Sequence, residues 1–145
     1  MLTDKKAVII KIKSCVDDVE REWECAGEYA IDGETRVAVY TDYIGNDITR
    51  TGMQIGKDAM LLHRSGGINA DMLFSLENDT VLEYEAFGLK TTYVLHTAAY
   101  RVYEMDHGLW VHLEYSLNDT EGKAETTGVQ DFYIFYDKPQ EKRNL

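Results

Sequence analysis

Residue pairs that favour tight turns recur along this chain at intervals of about ten residues, too short to hold a crossover helix. They are Asp17-Asp18, Asp32-Gly33, Gly45-Asn46, Gly56-Lys57, Gly66-Gly67, Asn78-Asp79, Gly88, His107-Gly108 and Asp119 to Gly122. Segments joined this tightly run antiparallel to their neighbours, so the chain is expected to be a meander of strands. The single proline, Pro139, falls after the last candidate strand, where it interrupts no ladder.

Between the turns, side-chain character alternates with period two. The clearest case is Leu109, Val111, Leu113, Tyr115 and Leu117, whose neighbours Trp110, His112, Glu114 and Ser116 point the other way. Val8, Ile10 and Ile12 alternate with Lys11 and Lys13, and Val129, Asp131, Tyr133 and Phe135 with Phe132, Ile134 and Tyr136. Asp17 to Trp23 is the one stretch with helical charge placement, but it lacks an apolar stripe and forms at most a turn of helix. Ten tyrosines, with many valines and threonines, suit half-buried strands.

Many consecutive antiparallel strands in a small domain leave two exposed edges, and a meander of eight or more removes them by closing on itself. The expected fold is therefore all-β: one antiparallel, mostly up-and-down barrel of the lipocalin or streptavidin kind, closed by pairing between its first and last regions. It is expected to occupy residues 1–145 as a single domain, with a polar tail at 140–145 that frays. The interior of such a barrel is either filled by side chains or open to one small ligand.

Acidic residues number 26 against 15 basic ones, for a formal charge of −11. That balance repels phosphate backbones and anionic lipid, so neither nucleic acid nor membrane is an expected partner. The apolar run Ala7 to Ile10 is too short for a signal-peptide core, which points to a cytoplasmic protein. The sequons at Asn78 and Asn118 then read as turns.

The densest segment runs from Met60 to Phe74. With Gly66-Gly67 as a two-residue turn, Arg64 pairs with Asn69, and Leu61, Ile68, Ala70, Met72 and Phe74 share an apolar face. Arg64, Asn69 and Asp71 fall on the opposite face, either as an anion or carbonyl anchor at a barrel mouth or as a solvated charge pair beside a turn. The string Arg64-Ser65-Gly66-Gly67-Ile68-Asn69-Ala70-Asp71-Met72-Leu73-Phe74 resembles the Arg-Ser-Gly-x-Val-Asn-x-x-Met-x-Phe segment of the YwiB-like family. The likeness continues in Val8-Ile9-Ile10-Lys11-Ile12, Ala26-Gly27-Glu28-Tyr29, Phe87-Gly88 and Leu113-Glu114-Tyr115, with Ala86-Phe87-Gly88 where the family usually carries Pro-Tyr-Gly. It implies a bacterial, cytoplasmic protein with a calycin-like β-barrel, and it brings no activity and no catalytic residues.

His63, His96, His107 and His112 lack any zinc-site spacing, and Glu83, Glu85 and Glu114 read as a solvated sheet face rather than an acid/base pair. Phosphate loop, dinucleotide fingerprint, nucleophile elbow and Ser-His-Asp order are all missing, so neither a cofactor nor catalysis is expected. What remains is non-catalytic binding of a small apolar or amphipathic molecule inside the barrel. Tyr84, Tyr93 and Tyr115 would line the cavity with Met72 and Phe74, and Arg64 and Asn69 would stand at its mouth. The alternative from another class is a filled barrel that binds proteins through its acidic surface or an edge strand.

Cys15 and Cys25 form neither a zinc spacing nor a Cys-x-x-Cys motif. If Asp17-Asp18 centres the first hairpin, Cys15 lies beside Glu20, and Cys25 is roughly 17 Å further along the strand, beyond disulfide reach. The native protein, denatured without reductant, is expected to titrate two free thiols per chain. A monomer with none would mean that the hairpin is centred elsewhere.

Overall fold

A computed structural model describes residues 2–44 and 46–136. Its strands are β1 (Lys6–Val16), β2 (Val19–Asp32), β3 (Thr35–Ile44), β4 (Asp47–Ile55), β5 (Ala59–Gly66), β6 (Ile68–Ser75), β7 (Thr80–Ala86), β8 (Leu89–Met105), β9 (Gly108–Asn118) and β10 (Ala124–Phe135). Each pairs antiparallel with its sequence neighbour, and β10 pairs back onto β1 to close the ring. The expected meander and its closure are both present. Every anticipated turn falls at a junction between consecutive strands, although Gly45 and the tail at 140–145 lie outside the described residues. Asp17 to Trp23 holds no helix: Asp17 and Asp18 take φ of 48° and 69°, and β2 begins at Val19. That turn is tied to β10 by Asp17, whose N–H donates to the Thr127 carbonyl and whose carboxylate accepts from the Thr127 N–H.

The ring's inner side carries the core. Val8, Ile10 and Ile12 from β1, Leu109, Val111 and Leu113 from β9, and Phe132 and Ile134 from β10 are buried, as the alternation of their strands requires. Met53, Ile55, Met60 and Leu95 complete the packing, and burying each such side chain is worth roughly 1.5–3 kcal/mol. On the outer side Tyr103, Trp110 and Tyr133 occupy one cross-strand row, Trp110 tilted against Tyr103 at 4.6 Å and stacked on Tyr133 at 5.6 Å.

Two features depart from simple alternation. In β8 a bulge at Ala98 shifts the register between Thr97 and Ala99, so that Leu95 and Thr97 face inward before it and Tyr100 after it. In the β5–β6 hairpin the register is one residue off the expected one: Arg64 pairs with Ala70, and His63 with Asp71. Gly66 has a φ of 121°, whereas Gly67 does not enter the positive region, so the two-residue turn expected from Gly66-Gly67 is replaced by a longer one. One residue of slip moves a side chain to the other face. Arg64 accordingly joins Leu62, Met72 and Phe74 on the inside, and Asp71 faces His63 on the outside.

Two seams in the ring are only partly laddered. β2 and β3 pair from Gly27 with Tyr40 down to Asp32 with Thr35, leaving Val19 to Ala26 and Thr41 to Ile44 without ladder partners across that seam. β6 and β7 pair only at Ile68 with Ala86 and Asn69 with Glu85; further along, the Thr80 hydroxyl donates to the Leu73 carbonyl at 2.8 Å.

Gly66 and Gly33 both sit at positive φ, but a Cβ on Gly33 would meet open space and one on Gly66 would lie 2.1 Å from the Ile48 carbonyl oxygen. Gly33→Ala should therefore cost only the left-handed penalty of about 1–2 kcal/mol. Gly66→Ala should cost clearly more, because β4 must also move. Urea midpoints of the two variants check this, and equal losses would mean that the hairpin relaxes around the clash.

Candidate functional site

Five hairpin turns, those of β1–β2, β3–β4, β5–β6, β7–β8 and β9–β10, gather at one end of the ring. Beneath them the interior is open. A cavity of about 800 Å³ has Leu62, Met72, Phe74, Leu113 and Phe132 in its lining, with the packed core of Ile10, Met53, Met60 and Ile134 beyond. Its walls include Tyr40, Tyr84, Tyr93, Tyr115, Arg64, Asp42, Trp23, Cys25 and Gln130. Val19, Glu24, Thr41 and Tyr43 also line it, so the opening follows the unladdered part of the β2–β3 seam.

That seam is spanned by side chains instead of backbone. Asp42 is 6% exposed, and one of its carboxylate oxygens accepts from Trp23 Nε1 at 2.9 Å and from Cys25 Sγ at 3.0 Å. Burial, and then the Asp42 carboxylate, push the Cys25 thiol up to about 12, so it remains a donor at neutral pH. Arg21 stacks on Trp23 at 4.6 Å.

Across the cavity, Tyr115 is held by the strand beside it. Gly128 pairs with Tyr115, and a Cβ there would lie 2.5 Å from the ring, so glycine is what lets the ring lie flat on β10. The Tyr115 hydroxyl accepts from Gln130 Nε2 at 3.2 Å, and Phe74 meets the ring edge-on at 5.4 Å. Burial raises the pKa of both Tyr40 and Tyr115, with Asp42 adding to it at Tyr40 and Gln130 opposing it at Tyr115. Both stay neutral phenols and so can donate.

Of the residues singled out from sequence, Arg64, Met72, Phe74, Tyr84, Tyr93 and Tyr115 meet in this cavity. Asn69 is elsewhere: it is exposed, accepts from the Gly66 N–H and donates to the Gly66 carbonyl, and so braces the turn. Trp23, Cys25, Tyr40, Asp42 and Gln130 were not legible as wall residues. In Val37-Ala38-Val39-Tyr40 the alternation is apolar on both faces, so nothing told which side Asp42 would take.

His63, His96 and His112 stay on the outer face, and His107 lies in the turn between β8 and β9. His63 pairs with Asp71 and His96 with Asp79. His112 lies between Asp131 at 2.7 Å and Glu114 at 2.8 Å; burial opposes its charge, but hydrogen bonds to the two carboxylates outweigh burial and its pKa is raised. No group of three or more His, Cys, Asp or Glu side chains among the described residues is placed to hold a metal ion.

Residues 10–130 match a domain of unknown function, DUF1934. The chain belongs to that family. Its fold is similar to the crystal structure of the ywiB protein from Bacillus subtilis, with a TM-score of 0.80 at 12% identity over 94% of this chain and 96% of that one. No curated protein matches the chain. The structural likeness, at that identity, establishes the shared barrel, in line with the resemblance carried by Arg64 to Phe74.

Because Asp42 ties β3 to β2 where the ladder is missing, Asp42→Ala should destabilise the fold by about 1–3 kcal/mol, as expected for leaving buried donors without an acceptor. Asp42→Asn keeps an oxygen acceptor and should lose less. Urea unfolding together with a red shift of Trp23 emission reads both effects, and an Asp42→Ala variant as stable as the parent would show that the seam is held by packing alone.

Proposed function

We propose that this family member is a non-catalytic, cytoplasmic binder of one small amphipathic molecule, taken into the open end of the barrel. The observation that carries this reading is the cavity of about 800 Å³, within the size range of small-molecule sites, roughly 300–1,000 Å³. Its composition supports the same reading, since leucine, methionine and aromatic side chains line the inner part and a few hydroxyl and charged groups stand around them. Net charge supports it as well. The charged side chains in the lining are Arg21, Arg64, Glu24 and Asp42, two of each sign, so the chain's acidic surplus lies outside the cavity. The alternative is a protein-interaction module acting through its acidic surface or an edge strand; pairing of β1 with β10, which leaves the meander no terminal edge, argues against the second of these routes.

Trp23 lines the cavity and Trp110 stands in the outer aromatic row, so Trp110→Phe leaves a single tryptophan as an internal reporter. An apolar fluorescent probe is expected to bind that variant at one per chain, to change Trp23 emission, and to be displaced by a competing amphipath. A substitution at exposed Glu121 should leave the titration unaltered. Absence of saturable binding would favour the interaction module.

A further inference from the structure

Arg64 is a cation in an unusual position. The β5–β6 register turns it inward, its side chain is half-buried among the cavity walls, and its Nε is fully buried with no hydrogen-bond partner. Among the described residues no carboxylate approaches it within ion-pair distance, although Lys11 and Arg36 have such partners on the surface. Asp42, the buried acid of the same cavity, is already engaged by Trp23 and Cys25. A buried N–H donor of a charged group left without an acceptor is costly to keep, and the cost is relieved when an acceptor arrives.

The surroundings define which anion. Arg64, on β5, lines the same cavity as Tyr40 from β3 and Tyr115 from β9. The Tyr115 hydroxyl accepts from Gln130 and therefore has its own proton free to donate. A planar fork of N–H donors matches the two oxygens of a carboxylate, and a phenol in the same cavity can add a donor. Ile68, Tyr84 and Tyr93, with Met72, offer hydrocarbon an apolar surface in the same cavity. Further negative charge on the ligand would meet Asp42, Glu24 and a chain of net charge −11.

We propose that Arg64 anchors the single carboxylate of an amphipathic monocarboxylate, with the Tyr115 hydroxyl of the same cavity as a further donor and the apolar part of the molecule against Ile68, Met72, Tyr84 and Tyr93. This rests on the reading of the cavity as a small-molecule site and names the class of molecule it takes.

Calorimetric titration of the native chain with dodecanoate and with dodecanol separates the two ideas. The carboxylate should bind about ten- to a hundredfold more tightly than the alcohol, the range for hydrogen bonds to a charged group. Arg64→Met should remove that preference while leaving the affinity for dodecanol in place. A second measurement needs no variant: the carboxyl carbon of 13C-labelled dodecanoate, followed by NMR, should titrate at lower pH when bound than when free. Equal affinities for the two probes, a preference that survives Arg64→Met, or a bound carboxyl that titrates at or above its free value would each overturn the anchor and leave the cavity reading standing. Binding of neither probe would overturn the cavity reading and the anchor with it.

Discussion

Ten strands closed through the pairing of β1 with β10 make a ring whose width is set by strand number, and almost everything else about this protein is a consequence of that width. A ring of about eight strands is just filled by its own side chains, and the interior widens as strands are added. Here the inward positions of β1, β4, β9 and β10 fill one end with Ile10, Met53, Leu109 and Ile134, while the other end stays open. The choice between a filled barrel and an open one is thus not made for the molecule as a whole. Both occur, one above the other, along the same strands.

Closure also shows where the ladder gives out. Across the β2–β3 seam the backbone pairing stops at Gly27 and Tyr40, and the Asp42 carboxylate takes over with Trp23 and Cys25 as its donors. Side-chain hydrogen bonds of this kind hold two strands at a fixed separation without closing the gap between them, which is why the cavity reaches the surface there. The same polar residues give the wall its chemistry. An acid already engaged by Trp23 and Cys25 and a guanidinium whose Nε has no partner, two strands apart in the same wall, make the cavity electrically uneven, although its formal charges balance.

The candidate site was partly legible because inward residues of a barrel share a face with the core. Tyr115 follows Leu109, Val111 and Leu113 in strict alternation, and Met72 and Phe74 belong to one apolar face under either register. Arg64 and Asn69 were placed by assuming a two-residue turn at Gly66-Gly67; a turn longer by one residue sends Arg64 inward and leaves Asn69 bracing the loop. Asp42, Trp23 and Cys25 gave no signal, because their meaning depends on a seam between β2 and β3 that local pattern does not express.

Alternation and turn residues depend only on neighbours along the chain, so by themselves they determined the all-β meander, the positions of its hairpins and the inward faces of β1 and β9. Register at the Gly66 turn, the Ala98 bulge in β8, the depth to which side chains fill the ring and the contacts across the open seam were decided by tertiary structure. The physical reason is the same in each case. These features arise from how strands distant in sequence meet once the ring closes, and a period of two records which residues face one way, not what they face.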